Sequence, residues 1–372
     1  MKMKKILSLL LVVVMLISFT VGCANTDDVT DEQQKTDVEE KDETKDESSE
    51  EINAVDDINP KIKEIEEALM DQLEPLPETG KGENVGVLII SLTNPFWANM
   101  KEKYEMAGEE LGINVEVLSA PTEGDTTSQL ETLDGMAVKD YDSIILSPID
   151  GNNLIPGIVR ANQAEVPVIN LGPGVNKDGL AEQGGHLDGK ITVDFVNQGK
   201  MVAEDMLKYM PDGGKVAIIQ GIPGAGQSEG RTNGAKSVFE NTEGVELVSV
   251  QPADWDRNKA YDIATNLIQA HPDLKGIFAA NDVMALAAVE ALETAGMKDG
   301  VVVYGVDFTG EAQESILAGK LDGSITYSPT VYTKAALLLS LKISQGQEIT
   351  EPVYCPLVIV NKDNINEFDG WE

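Results

Sequence analysis

The chain has 372 residues, with 64 Asp and Glu against 28 Lys and Arg, a formal net charge of -36 and two cysteines. So acidic a polymer repels nucleic acid and anionic lipid headgroups, which argues against both as partners, and two cysteines build no disulfide framework. An apolar share of 42% is ample for a packed core, so stability must come from burial.

Lys2, Lys4 and Lys5 open the chain, residues 6–19 are almost wholly apolar, and Thr20-Val21-Gly22-Cys23 supplies a small-residue cleavage site. The apolar run is shorter than the roughly 20 residues a comfortable membrane span needs, so an export signal over 1–23 is favoured over an uncleaved helix. A cysteine directly after the cleavage point is the pattern of bacterial lipoproteins, in which its thiol is acylated. Cys23 is therefore the expected lipidation site, and the mature protein is expected outside the cytoplasm, lipid-anchored to the cell membrane. Stable anchoring takes more than one acyl chain. With Cys23 committed to lipid, Cys355 has no partner.

Residues 24–60 carry fifteen Asp or Glu against three Lys and no aromatic, the composition of a disordered tether extended by its own charge. Within the tether region 24–82, the spacing of Ile62, Ile65, Leu69, Met70 and Leu73 predicts a short stalk helix over 61–73. Pro75 and Pro77 break it, and a folded domain is expected from about residue 84.

From there β-rich runs alternate with amphipathic stretches. Strands are predicted at 85–91, 115–118, 143–147 and 166–170, and again at 215–220, 245–250, 276–280 and 301–306. Helices are predicted over 228–240, 257–270 and 282–296. Strand alternating with helix twice over means an α/β fold of two doubly wound parallel sheets, each covered on both faces. In such sheets ligands bind beyond the carboxyl ends of the strands, so the residues just after each strand are the informative ones.

After the first strand comes Ser91-Leu92-Thr93-Asn94-Pro95-Phe96-Trp97. Asn94 reads as a helix cap with Pro95 at the first helical position. Phe96 and Trp97 are either packing residues or platforms for the apolar face of a sugar ring. After the sixth strand, Pro252-Ala253-Asp254-Trp255-Asp256-Arg257 puts a tryptophan in a polar loop, where core packing has little use for it. Asn281 follows the seventh strand as a cap or a hydroxyl ligand, and Asp307 ends the eighth with no cation beside it in sequence. Arg231, early in the helix after the fifth strand, offers a planar fork of donors.

These stretches, with Asp194 and Gly199-Lys200, Gln220-Gly221-Ile222, Gly234, Gln251-Pro252, Ala270-His271-Pro272 and Met284-Ala285-Leu286, resemble the ribose-binding-protein-like family of substrate-binding proteins for bacterial ABC sugar importers. The resemblance covers roughly residues 84–362. It implies a type I periplasmic-binding-protein-like fold whose two lobes are joined by three hinge crossings near Val193, Tyr327 and Tyr354. Residues 84–193 with 328–354 would form the N-terminal lobe, and 194–327 with 355–372 the C-terminal lobe. It further implies a small-molecule sugar or polyol between the lobes, an ABC permease as membrane partner and a monomer without cofactor or catalysis. Asn94, Phe96, Trp97, Arg231, Trp255, Asn281 and Asp307, with Ser91 and Tyr327, would line the cleft.

Three departures bear on the ligand. Gly172-Pro173 stands where ribose binders place an Asp-Arg pair, Val306 where they have an aromatic, and Tyr327 where they use Gln. A changed polar set means a changed ligand. Ribose is disfavoured, and one Arg facing one Asp predicts a near-neutral cleft suited to a hexopyranose, cyclitol or related polyol. Asn170, His186 and Asp188 are candidates to replace the missing pair.

Two other readings compete. A ligand-sensing subunit for a membrane receptor or kinase would carry the same lobes. A secreted serine hydrolase would use Ser228 in Gly226-Gln227-Ser228-Glu229-Gly230, with Asp254 or Asp256 and His271 in hydrolase order. An elbow serine, however, sits directly after a strand, and residues 221–227 intervene here. Two histidines and one free cysteine build no Cys/His zinc site, and no metal is expected.

Overall fold

The computed structural model describes residues 59–368 except 348, 350 and 351. The export signal, Cys23 and the tether up to residue 58 lie outside the described residues.

After α1 (Pro60–Met70) and a 3₁₀ turn (Asp71–Leu73) the chain runs β1 (Asn84–Ser91), α2 (Pro95–Leu111), β2 (Asn114–Ala120), α3 (Thr126–Met136), β3 (Ser143–Leu146), α4 (Ile155–Gln163), β4 (Val168–Leu171), α5 (Lys177–Glu182) and β5 (Gly189–Thr192). The second series is α6 (Phe195–Lys208), β6 (Gly214–Gln220), α7 (Gly226–Phe239), β7 (Val245–Pro252), α8 (Arg257–Ala270), β8 (Leu274–Ala279), α9 (Asp282–Thr294), β9 (Val302–Val306), α10 (Gly310–Leu317) and β10 (Gly323–Thr326). It closes with α11 (Pro329–Ser344), β11 (Val353–Tyr354) and β12 (Val358–Asn361).

The strands form two six-stranded sheets, ordered β11-β5-β4-β3-β1-β2 and β12-β10-β9-β8-β6-β7. Every pairing is parallel except β10 with β12. The central strands β1, β3 and β4 are buried on both faces almost end to end, which is why they read as unbroken apolar runs. The chain passes between the sheets three times: between Thr192 and Phe195, at Tyr327 and Ser328, and between Tyr354 and Val358.

Four strands escape the sequence pattern. In β10, Gly323-Ser324-Ile325-Thr326 is wholly buried although only Ile325 is apolar. Its hydroxyls are satisfied by Asp282 and by the carbonyl of Asp307, contacts that no periodicity announces. β5 and β12 are similarly short, and β11 spans two residues.

The predicted stalk helix does not stand free. Ile62, Ile65 and Leu69 of α1 are buried, and α1 lies against α11. Glu66 pairs with Lys334 at 2.9 Å, and the Lys342 ammonium donates to the carbonyls of Leu73 and Pro75. Gln72 exchanges two hydrogen bonds with the backbone of Tyr354, and the Asn59 amide donates to the carbonyl of Glu367. The segment expected to belong to the tether is thus packed on the body from residue 59 onward, because its apolar stripe meets a complementary face on α11.

Candidate ligand-binding site

A cavity lies between the carboxyl ends of the two sheets, the place where open parallel sheets bind their ligands. Phe96 and Trp97 from one lobe and Trp255 from the other each retain no more than 7% exposure, so the lobes are shut around it.

On the first lobe the Asn94 side chain caps α2 by accepting from the Phe96 amide at 3.0 Å, and Pro95 opens the helix. The cap aims Phe96 and Trp97 into the cavity, where their rings meet edge to face at 5.0 Å. Phe96 continues to Tyr327 at 5.8 Å and Tyr327 to Tyr332 at 5.0 Å, both edge to face. Packing residue and cavity wall are therefore one role here. Such contacts hold each ring by the others.

On the second lobe Arg231 is fixed from several sides. Its Nε donates to Gln198 at 2.8 Å, Nη1 to the Ala280 carbonyl at 2.7 Å, and Nη2 stands 3.6 Å from Asp307. The Phe195 ring lies 5.6 Å from the guanidinium carbon. Close approach of α6 and α7 makes this possible. A methyl at Gly199 would overlap the Arg231 carbonyl and one at Gly234 the Val196 carbonyl, so only glycine lets the two backbones touch.

Asp307 occupies a strained turn, with φ of 110° there and 56° at Phe308. Non-glycine residues persist in that region when their surroundings over-determine them. The Asp307 amide donates to Ile325, Thr326 donates to the Asp307 carbonyl, the Phe308 amide donates to Ser324, and the Thr309 amide donates to Asp282 at 2.8 Å. Asp282 also accepts from the Ser324 hydroxyl. Burial, reinforced by Asp307, pushes its carboxyl well above the usual carboxylate range.

Trp255 and Asp254 are likewise left-handed, with φ of 65° and 54°. The indole is seated on Gly221, where any methyl would overlap its six-membered ring. Asn281 caps α9 by accepting from the Met284 amide, which assigns the other end of its side chain. The Asn281 Nδ2 is buried with no partner among the described residues, as is the Gln227 Oε1. Both side chains line the cavity.

Of the nine residues expected at the cleft, Asn94, Phe96, Trp97, Arg231, Trp255, Asn281, Asp307 and Tyr327 line this cavity. Ser91 does not. It is wholly buried, its hydroxyl lies 2.9 Å from that of Thr93, and it accepts from the Thr93 amide, so it closes the turn after β1. Gly172 and Pro173 line the cavity, but none of the suggested replacements for the missing pair does. Asn170 donates to the Pro173 carbonyl at 2.7 Å and accepts from the Val175 amide, pinning the turn. His186 and Asp188 face each other at 3.5 Å beside a separate hollow with Lys177 and Lys190.

The carboxylate that sequence reasoning missed is Glu123, on the loop after β2. Burial first, then repulsion from Asp307, lifts its carboxyl to about 7 against an opposing hydrogen bond from Asn94. The cleft is accordingly richer in acid than one Arg facing one Asp. Its sequence context, Thr122-Glu123-Gly124-Asp125, is that of an ordinary polar loop. Only its place beyond a strand end could have drawn notice.

A two-lobed body with a closed, aromatic-walled cavity at the sheet ends defines a ligand-clamping protein. The family model described as "periplasmic binding protein domain" matches residues 85–348. Over 264 residues the chain is 36% identical to the D-allose-binding periplasmic protein of Escherichia coli, covering 71% of this chain and 85% of that one. It is 30% identical to a ribose import binding protein of Bacillus subtilis, with 73% and 85% covered. Among solved structures, a periplasmic solute-binding protein of an ABC transporter from Actinobacillus succinogenes, with bound D-allose, superposes with a TM-score of 0.72 at 30% identity. That match covers 76% of this chain and 99% of the other. The chain belongs to the periplasmic binding protein family, in its ribose-binding-protein-like branch. This makes it a substrate-binding protein and not an enzyme. The hydrolase reading falls with it: Ser228 is buried inside α7, Asp254 pairs with Lys259, and Asp256 caps α8.

Proposed function

We propose that this chain is the extracytoplasmic substrate-binding lipoprotein of an ABC importer, and that it clamps a neutral hexopyranose, cyclitol or related polyol between its lobes. The observation that carries the ligand class is the cavity. Aromatic walls from both lobes and the hinge surround buried Asn281 Nδ2, Gln227 Oε1 and Glu123 Oε1, none with a partner among the described residues. Buried polar atoms are ordinarily satisfied, and a guest that is apolar on its ring faces and hydroxylated around its rim satisfies these. Anchoring through Cys23 rests on the N-terminal sequence alone.

Function follows from hinge motion. Ligand contacts made by both lobes at once exist only in the closed form, so binding raises the closed population that a permease would engage. A thermal-shift screen of the full-length chain with D-allose, D-ribose, myo-inositol and D-fucose tests this, since a ligand bound only by the folded state raises the melting point. A shift with a hexose or cyclitol larger than that with ribose is expected. No shift with any neutral sugar or polyol would refute the reading.

A further inference from the structure

Glu123 is the one charged residue of the cavity with a demand that the protein leaves unmet. Its Oε1 is buried without a partner among the described residues. The charged groups near it are spoken for or of the wrong sign. Asp307 repels it. Arg231 commits Nε to Gln198 and Nη1 to Ala280, and turns Nη2 to Asp307. At the outer mouth, which Glu123 shares with Asp254, Asp256, Arg257 and Lys259, Lys259 pairs with Asp254 at 2.8 Å and Arg257 with Glu311 at 2.8 Å. Asp256 caps α8. A carboxylate shut into such a place is costly until hydrogen-bond donors reach it, and every cation around it is already engaged. Asn94 already supplies one donor to this carboxyl, and the guest must bring the one that Oε1 lacks.

We propose that Glu123 is a specificity-determining residue of this cleft: with Asp307 it selects guests that present a hydrogen-bond donor, hydroxyl or ammonium, on the mouth side of the cavity, and it turns away sugar acids and sugar phosphates. The proposal rests on the sugar-binding function argued above. Glu123 thereby takes over part of what the Asp-Arg pair absent at Gly172-Pro173 would supply, from a different loop. The exchange also changes the charge balance. A pair adds nothing to the net charge, whereas a lone carboxylate makes the cleft hostile to anions.

The test is calorimetric titration of the full-length wild type, Glu123→Gln and Glu123→Ala with D-allose, D-glucose, myo-inositol, D-glucosamine and D-glucuronate. The wild type should bind a neutral or amino compound and reject D-glucuronate. Glu123→Gln keeps the shape but loses the charged acceptor, so affinity for the preferred neutral compound should fall about tenfold or more while the discrimination against D-glucuronate narrows. D-glucosamine bound more tightly than D-glucose would assign the donor as ammonium, and the reverse as hydroxyl. Either order supports the selection of donors. Unchanged affinity in Glu123→Gln, or wild-type binding of D-glucuronate as tight as that of D-glucose, overturns the proposal and leaves the sugar-binding function standing. Failure of the wild type to bind any of the five removes both.

Discussion

The seat of Trp255 on Gly221 turns one methyl group into a measurement of the cleft. In Gly221→Ala the added carbon would overlap the outer ring of the indole at three atoms, and the ring cannot keep its place. Two responses compete. Expelling the indole into solvent would expose on the order of 150–250 Å², which at about 25 cal/mol per Å² amounts to roughly 4–6 kcal/mol. Shifting the ring and straining its neighbours costs about 1–3 kcal/mol, the usual range for overpacking, so the shift wins. The indole lines the cavity, so a ring pushed off Gly221 is displaced toward the space a guest would occupy. The expected outcome is a loss of about 1–3 kcal/mol in stability, or a few degrees in melting temperature, together with a loss of sugar affinity of more than about tenfold. Gly135 is the control. It lies exposed in α3, and a methyl added there would meet open space, so Gly135→Ala should stabilise by about 0.5–1 kcal/mol and leave binding alone. Thermal unfolding and calorimetric titration of the two variants decide the matter. Should Gly221→Ala melt and bind like the wild type, the indole is not held where the structure puts it, and Trp255 ceases to be a wall of the site.

Arg231→Ala should lower affinity for the bound sugar by about 2–5 kcal/mol, because Asp307 and Gln198 lose their shared cation inside a closed cleft; unchanged affinity by titration would show that the guest sits elsewhere. The Glu123 carboxyl, raised from 4.5 to about 7, favours the ligand-free folded state below about pH 4.5, and that contribution is lost as pH rises through 7. By that reasoning Glu123→Gln and the wild type should melt alike near pH 5, with the variant more stable near pH 8 by up to about 3 kcal/mol; parallel pH–stability curves would rule the burial of this acid out. Leu69→Ala removes a fully buried side chain from the face of α1 that meets α11, and should cost about 2–5 kcal/mol. If chemical denaturation finds the variant as stable as the wild type, α1 contributes nothing to the body.

Local chemistry was readable from the residues alone. Central strands buried on both faces are apolar runs whatever the topology, and Asn94-Pro95 and Asn281 start helices through bonds two or three residues long. Two strand-helix series therefore stood out, and with them the strand ends where Asn94, Arg231, Asn281 and Asp307 sit. What depends on partners far apart in the chain was decided only in three dimensions. β10 is polar in sequence because Asp282, more than forty residues earlier, receives its serine. Ser91 looked like a ligand residue until Thr93 claimed its hydroxyl, and α1 looked like a stalk until α11 covered its apolar stripe. Glu123 is the sharpest case: a loop glutamate acquires its character first from burial in the closed cleft and then from Asp307, a residue of the opposite lobe. Short-range bonding and hydrophobic period are written along the chain, whereas desolvation and charge proximity exist only once distant segments share a cavity.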